Sequence, residues 1–474
     1  MEFQLQKDLE KNTEYFNNAL QIEESFDVIK RTFMTGGKMA CLYFIDGFAK
    51  DDALQKMIQK LNEITKEDFP KNAHEYMKQC IGYIETDKLT KVEDVIKNIL
   101  SGVAVLFVDT YDEAIAIDAR TYPARGVEEP EKDRVLRGSH DGFVETIVFN
   151  TALIRRRIRS EKLVNKMLEV GTSSKTDVVI SYMSDRCSEK VLQLVTQRIE
   201  NIHIDSLSMN QESVAECICP KNWWNPFPKF KFTERPDTAA ACLLEGNILI
   251  LVDNSPAAIV VPASIFDIVE EANDFYFPPI TGTYLRISRM LMNLIALILT
   301  PLFVLLMKQP ELIPKAFEFI HVKETVNIPI IWQFLIIEFA VDGLKLASLN
   351  TPSMLSTPLS VIAALVIGDF AVSSGWFNAE TMLYMAFVVL ANYTQVNFEL
   401  GYAIKFMRLG LLIITSIFGL WGFVAGLILV ILICAFTKTL TGRNYIYPLI
   451  PFNGKKLLHK FFRVSIPNSK YQKQ

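Results

Sequence analysis

Five histidines in 474 residues, none with a partner at a catalytic spacing, leave little for acid–base or metal chemistry. The chain also lacks a Gly-rich phosphate loop, a GxSxG elbow, an HExxH pair and a Cys/His nucleophile pair. It therefore reads as a non-enzyme without a cofactor. The seven cysteines (Cys41, Cys80, Cys187, Cys217, Cys219, Cys242, Cys434) are odd in number and mostly sit in apolar surroundings, which argues against a disulfide framework and fits a reducing compartment. Cys217 and Cys219 form a lone CxC, and His140 and His203 are too isolated to complete a zinc set. A net charge of -4, from 53 acidic against 49 basic residues, gives a nucleic-acid polyanion nothing to bind. Residues 1–25 have no apolar run of the kind a secretory signal needs, so the soluble part is expected on the cytoplasmic side.

What is present divides in two. Charges crowd into the first 290 or so positions and the C-terminal tail, while the chain between is lipid-like. After a polar segment at 1–24, Met39 to Asp46 reads as a buried strand. Leu54, Met57, Ile58, Leu61 and Ile64 then mark an amphipathic helix over 51–64. A helix at 90–100 has Thr90 as its expected cap, and a β-hairpin follows Gly102. In the next block Asn150 is the expected cap of a helix running to Glu169 and ended by Gly171. A strand at 177–183, helices at 187–200 and 236–245, and a hairpin at 247–261 then repeat the earlier order. The hairpins align without gaps: Gly102, Val108, Asp109, Ala114 and Ile115 fall on Gly246, Val252, Asp253, Ala258 and Ile259. The expectation is two related α/β subdomains, 25–135 and 136–275. Asp46, Asp109 and Asp253 each follow a strand, where turn chemistry accounts for them better than catalysis. Arg155, Arg156, Arg157 and Arg159 read as a solvated basic face that also bonds neighbouring subunits or domains, with an anion or lipid-headgroup contact as the alternative.

From Ile287 the chain turns apolar. Spans are expected at about 287–307, 328–349, 379–396 and 409–436, with 355–372 broken or re-entrant because Pro352 and Pro358 remove helix donors. Residues 311–320 suit an interfacial helix. Arg286 and Arg289 at the first entrance, and the basic tail 438–474, place both termini in the cytoplasm and favour an even number of crossings. Gly410, Gly419, Gly422 and Gly426 would let the last span approach a neighbour closely. Ionisable residues inside such segments cost about 2.5–3.5 kcal/mol each on the lenient scale and need a reason. Glu338, Asp342, Lys345, Asp369 and Asn392 are the candidates for a polar path; the alternative is that Glu338 or Asp342 pairs with Lys345 or Arg408 to hold helices together. The fold class expected is thus a soluble α/β N-terminal region of two related subdomains followed by an α-helical multi-pass membrane bundle.

Residues 225–262 form the junction. Glu234, Arg235 and Asp237 surround a helix start at Pro236, where a carboxylate suits the dipole. With Arg156 they are the candidates for coupling or assembly. The segments GFVETIVFNTALIRRRIRS (142–160), KTDVVISYMSD (175–185), NPFPKFKFTERPDTAAACLLEGNILILVDNSP (225–256), GTYLRISRML (282–291) and IPFNGKKLL (450–458) together resemble the GerA-type spore germination proteins, A-subunit class, over nearly the whole chain. One departure is Ser139-His140-Asp141, where relatives usually have Pro-Arg-Glu before the Gly-Phe.

The resemblance implies a multi-pass protein of the inner forespore and spore membrane, both termini on the spore-core side, in contact with membrane lipid. It also implies a homo-oligomeric ring that releases monovalent cations and amplifies the germination signal. A small multi-pass membrane partner and germinant-receptor subunits are the partners it suggests. A non-conducting receptor or assembly subunit is the alternative. Secondary transport is the third choice, because the membrane half shows no internal repeat.

Overall fold

The computed structural model describes residues 3–82, 85–120, 134–219, 224–322, 326, 328–350, 370–395 and 397–463. These form two units, one of residues 3–219 with 230–263 and the other of residues 224–229 with 264–463.

In the first unit Asp8 caps α1 (Leu9–Ala19) by accepting from the Glu10 N–H. Then come β1 (Val28–Thr35), β2 (Lys38–Ile45), α2 (Asp51–Asn62), α3 (Ala73–Cys80), β3 (Glu85–Leu89), α4 (Val92–Leu100), β4 (Ala104–Val108) and β5 (Ala114–Asp118). The same order follows again: α5 (Ile147–Arg157), β6 (Leu163–Val170), β7 (Thr176–Met183), α6 (Glu189–Glu200), α7 (Asn210–Ile218), β8 (Lys231–Thr233), α8 (Pro236–Leu244), β9 (Ile248–Val252) and β10 (Ala258–Val261). Both sheets are antiparallel, in the orders β1-β2-β4-β5-β3 and β6-β7-β9-β10-β8, which are one topology written twice. Gly102 and Gly246 end the helices before β4 and β9 at φ of 89° and 90°, a conformation that needs glycine.

Strand alternation sorts the core. In the first sheet Cys41, Tyr43 and Ile45 face one layer with α1 and α4, while Ala40 and Leu42 face the other with α2 and α3. Leu9, Phe16 and Leu20 belong to the first of these layers, so residues 1–24, expected to stand apart as a polar segment, carry the first helix of the repeat. In the second sheet Val179, Leu249 and Leu251 pack under α5 and α8.

Three local expectations are corrected. The helix expected from Asn150 to Glu169 is α5 followed by strand β6; residues 163–170 pair one for one with 176–183, and Gly171 at φ 96° lies in the turn between them. Asn150 is inside α5, not its cap. The cap of α4 is Lys91, one residue beyond Thr90.

The second unit holds α9 (Ile265–Val269), α10 (Asn273–Tyr276), α11 (Pro279–Lys308), α12 (Ile330–Asn350), α13 (Ala379–Tyr393), α14 (Phe398–Phe436) and α15 (Gly454–Phe461). The interfacial helix expected at 311–320 is a pair of short 3₁₀ turns, Pro310–Leu312 and Lys315–Ile320, each begun at a proline. Among the described residues α11 and α14 are long and apolar enough to cross a membrane.

The last of these is not one straight rod. At Gly419 the backbone leaves helical values (φ 62°, ψ −135°). Beyond it a Cβ on Gly426 would meet Leu411 Cδ1 at 2.5 Å, and one on Gly422 would run into the Ile414 carbonyl. Residues 411 and 426 would stand about 22 Å apart in a straight helix. The chain therefore doubles back, and the single span expected at 409–436 is an antiparallel pair of arms, 398–418 and 420–436, closed by the glycines that permit their contact. Lys308 ends α11 at this turn, donating to the carbonyls of Ser416 (2.6 Å) and Ile417 (3.0 Å) that the first arm leaves open. Phe303, Phe334, Met385, Val388 and Leu412 form the bundle core.

Candidate functional site

The bundle core contains charge. Four-residue spacing puts Glu338 and Asp342 on one face of α12. The first arm of α14 brings Lys405 and Arg408 to that face. Arg408 donates to Glu338 Oε1 at 2.5 Å and to the Ala296 carbonyl of α11 at 2.9 Å, joining three helices. Lys405 lies 3.3 Å from Glu338 and bonds Asp342. Arg408 is 1% exposed and Glu338 7%, so this is a desolvated network whose carboxylates are matched by cations. Lys345 is not the partner of either acid. Its ammonium lies over the rings of Tyr393 (5.5 Å) and Tyr402 (5.8 Å). Of the two cations expected from sequence, Arg408 is in place and Lys345 is not. Lys405 is the partner that sequence reasoning missed; it sits three residues before Arg408, a spacing that shares a helix face.

A second feature runs along the same helices. Among the described residues of α11–α14 and the α13 cap, six buried oxygens have no hydrogen-bond partner: Asn293 Oδ1 on α11, Asp342 Oδ1 on α12, Asn378 Oδ1 at the cap of α13, Thr381 Oγ1 and Asn392 Oδ1 on α13, and Thr415 Oγ1 on α14; beyond α14 the Tyr445 hydroxyl and two Arg463 nitrogens are in the same position. Asn378 and Gln333 mark one end, where the Asn378 N–H donates to Gln333 Oε1 at 2.9 Å. Asn392 lies one residue before Tyr393, at the end marked by Lys345. The oxygens thus spread along the length of α13 and across four helices. Asp369, the remaining path candidate, and the segment 355–372 up to residue 369 lie outside the described residues.

Arg286 and Arg289 at the entrance of α11 are buried. Asp274, fully buried on α10, accepts from Arg286 Nε at 3.1 Å and from Arg289 at 2.9 Å. Glu270 and Glu271 take the outer nitrogens of the same two arginines at 2.5 and 2.7 Å. Lys460 of α15 closes the network on Asp267 and Glu270. A buried charge has to be paired, and the acidic run 267–274 supplies the pairs.

In the first unit Arg235 is buried and chelates Asp237, with its NH2 2.6 Å from Oδ2; it also donates to the Ser139 carbonyl at 2.7 Å. The Glu234 carbonyl accepts from the Phe143 N–H at 2.8 Å. These residues fasten the 139–143 loop to the start of α8. Asp141 of that loop holds Arg157 at 2.6 Å. Arg156 is exposed, whereas Arg155, expected on a solvated face, is 1% exposed and forms a bidentate pair with Asp27 at 2.9 and 3.1 Å. The signal is its spacing from Ile147, Thr151 and Ile158, legible once the true helix start is known.

The sequence pattern of the Bacillus/Clostridium GerA spore germination protein family matches residues 14–474, and the chain belongs to this family. It is 36% identical over 97% of its length to stage V sporulation protein AF of Bacillus subtilis (strain 168), 93% of which is covered. Over 94% of its length it is 26% identical to spore germination protein KA of the same organism, with 82% of that protein covered. Among solved structures it is similar to the N-terminal domain of the A subunit of the Bacillus megaterium spore germinant receptor GerK3, at 25% identity and a TM-score of 0.43, covering 56% of this chain and 98% of that one.

Proposed function

We propose that this chain is a multi-pass subunit of the spore germination machinery in the inner spore membrane, and that its helical unit joins other copies in a ring that releases monovalent cations and amplifies germination. The observation that carries this reading is the set of six partnerless oxygens. A buried polar atom left unpaired costs about 1–3 kcal/mol. Keeping six acceptors along four helices makes sense where water or a cation uses them. Those within α11–α14 are oxygens, the ligand atoms that hard monovalent cations prefer, as in carbonyl-lined filters. Apolar side chains such as Phe339, Trp421 and Phe436 are exposed on the outside of the same helices, as a lipid-facing surface requires.

The test is potassium flux through purified protein in liposomes. Thr381→Val and Thr415→Val should reduce flux severalfold while leaving thermal stability equal or higher, because neither hydroxyl has a partner among the described residues to lose. Glu338→Ala and Asp369→Ala should alter flux or ion preference. Unchanged flux in all four variants would remove the pore assignment.

The second reading, a non-conducting receptor or assembly subunit associated with germinant-receptor proteins, is favoured by one observation. Glu338 and Asp342 are neutralised by Lys405 and Arg408 instead of standing open. Silent liposomes with an intact oligomer would select it.

A further inference from the structure

The junction between the two repeats of the first unit is asymmetric. In the second repeat the outer edge of the sheet, β6, is covered by the chain leading out of α1: the Phe26 N–H donates to the Asn165 carbonyl at 3.1 Å, and Ser25 Oγ accepts from the Asn165 N–H at 3.2 Å. The Phe26 ring packs on the core beneath, and Asp27 beside it holds Arg155.

The corresponding edge in the first repeat is β1. Lys30 stands opposite Tyr43 as Asn165 stands opposite Ser181, third residue of an eight-residue strand in both cases. In an antiparallel pair a residue whose N–H and C=O do not serve its neighbour presents them outward. Asn165 does so, and Lys30 occupies its register position. No described strand pairs with this edge. Arg31, Thr32 and Met34 are exposed along it, as is Met39 on the adjoining strand. An open edge of this kind is a template for another chain.

The segment that would cover it is legible from the repeat. Ser160 precedes β6 as Ser25 precedes β1: the Leu163 N–H donates to the Ser160 carbonyl at 3.2 Å, and the Val28 N–H to the Ser25 carbonyl at 3.4 Å. Glu161 then holds the place of Phe26, and Lys30 holds the place of the residue that Phe26 pairs with. An acid meets a base.

We propose that the intrachain junction is used a second time between chains: residues 160–162 of one copy lie along the β1 edge of the next copy, with Glu161 against the neighbouring Lys30. The proposal rests on the ring reading above and gives that ring its soluble-side contact. Such a contact is heterologous, the same step repeated head to tail, and it closes into a ring when the rotation permits. The pair of bonds between Phe26, Ser25 and Asn165 is the pattern to be reproduced, a short strand addition to a sheet edge.

The experiment uses the full chain extracted from membranes. Two differently tagged copies are co-expressed, one carrying Lys30→Cys and the other Glu161→Cys, and oxidised; each tagged copy alone is the background for the native cysteines. A cross-link joining the two tags is expected. Lys30→Glu and Glu161→Lys, each alone, should lower the oligomeric fraction at least tenfold in size-exclusion chromatography with light scattering. The double exchange should restore it, which a misfolded protein would not do. An oligomer that forms without the cross-link and ignores both reversals overturns this interface and leaves the ring reading standing. A wild-type chain that is monomeric after extraction overturns both.

Discussion

Asn12 on α1 and Asn150 on α5 make the same two hydrogen bonds in the two repeats. Each side-chain oxygen accepts from the backbone N–H six residues earlier, at 3.0 and 2.8 Å, and each amide donates to that residue's carbonyl at 2.6 Å. Both are buried, Asn12 3% and Asn150 0% exposed. Leucine at either position would take the partners from one backbone donor and one acceptor, those of Gln6 or of Val144, and put an apolar side chain where the buried amide sits. We expect each substitution to cost about 1–3 kcal/mol, more at Asn150, whose amide also reaches the Ser255 carbonyl, than at Asn12, whose partner Gln6 is exposed, read by denaturant melts of the full chain. No loss at Asn150 would show that these hydrogen bonds do not hold the helix start.

The Glu338–Arg408 pair makes a prediction of a different shape. Removing Glu338 strands the Arg408 charge in the bundle, so Glu338→Leu should cost about 3–5 kcal/mol, and Arg408→Leu less, because Lys405 still stands 3.3 Å from Glu338. Making both changes together should recover most of the loss, because the apolar pair needs no desolvation. Thermal unfolding of the solubilised protein measures this, and losses that simply add would mean the two side chains do not act on each other.

Gly426 and Gly419 hold the α14 hairpin for separate reasons. At Gly426 a valine would collide with Leu411, an overpacking cost of about 1–3 kcal/mol. At Gly419 an alanine meets a backbone of φ 62° that side chains resist, with a similar cost. Gly410 has open space within 4 Å of where a methyl would stand and should accept alanine without loss. Melting temperatures of the three variants check the ranking.

Asp141 sets a pH dependence. Burial would raise its carboxyl, but the hydrogen bonds from Arg157 and Ser139 outweigh burial and hold it below the usual carboxylate range. A depressed folded-state value means stability that is fully present above the unfolded value, near 3.9, and is lost as pH falls through the folded one. Asp141→Asn should therefore be less stable than the parent at pH 6, by about 1 kcal/mol, and nearly equal to it below the folded value. A constant difference at pH 6 and pH 2 would show that the carboxylate charge is not involved.

Much of the first unit is legible in the sequence because its signals are local. β4 and β9 are continuous apolar runs, and α2 and α6 have clean amphipathic spacing, so their positions follow from the residues themselves. β1 and β6 escape such a reading for a physical reason. VIKRTFMT and LVNKMLEV carry charge on both faces, with Lys30 beside Arg31 and Lys166 three residues from Glu169, which breaks the alternation of a half-buried strand, and LVNKMLEV keeps enough helix formers to read as the end of α5. In the candidate site the acids can be picked out by the cost of placing them in an apolar segment, but nothing local says which of several cations pairs with them.

The sequence by itself determined that this chain has a charged α/β half and an apolar helical half, that its hairpins repeat, and that Glu338 and Asp342 share a helix face. Periodicity and composition are properties of neighbours along the chain, and these conclusions need nothing more. Tertiary structure decided that Arg155 is buried against Asp27, that Lys405 and Arg408 neutralise the acids of α12, and that the last apolar run doubles back at Gly419. Each of these depends on which distant segment arrives at a given face. A buried charge or a glycine is tolerated only once that neighbour is in place.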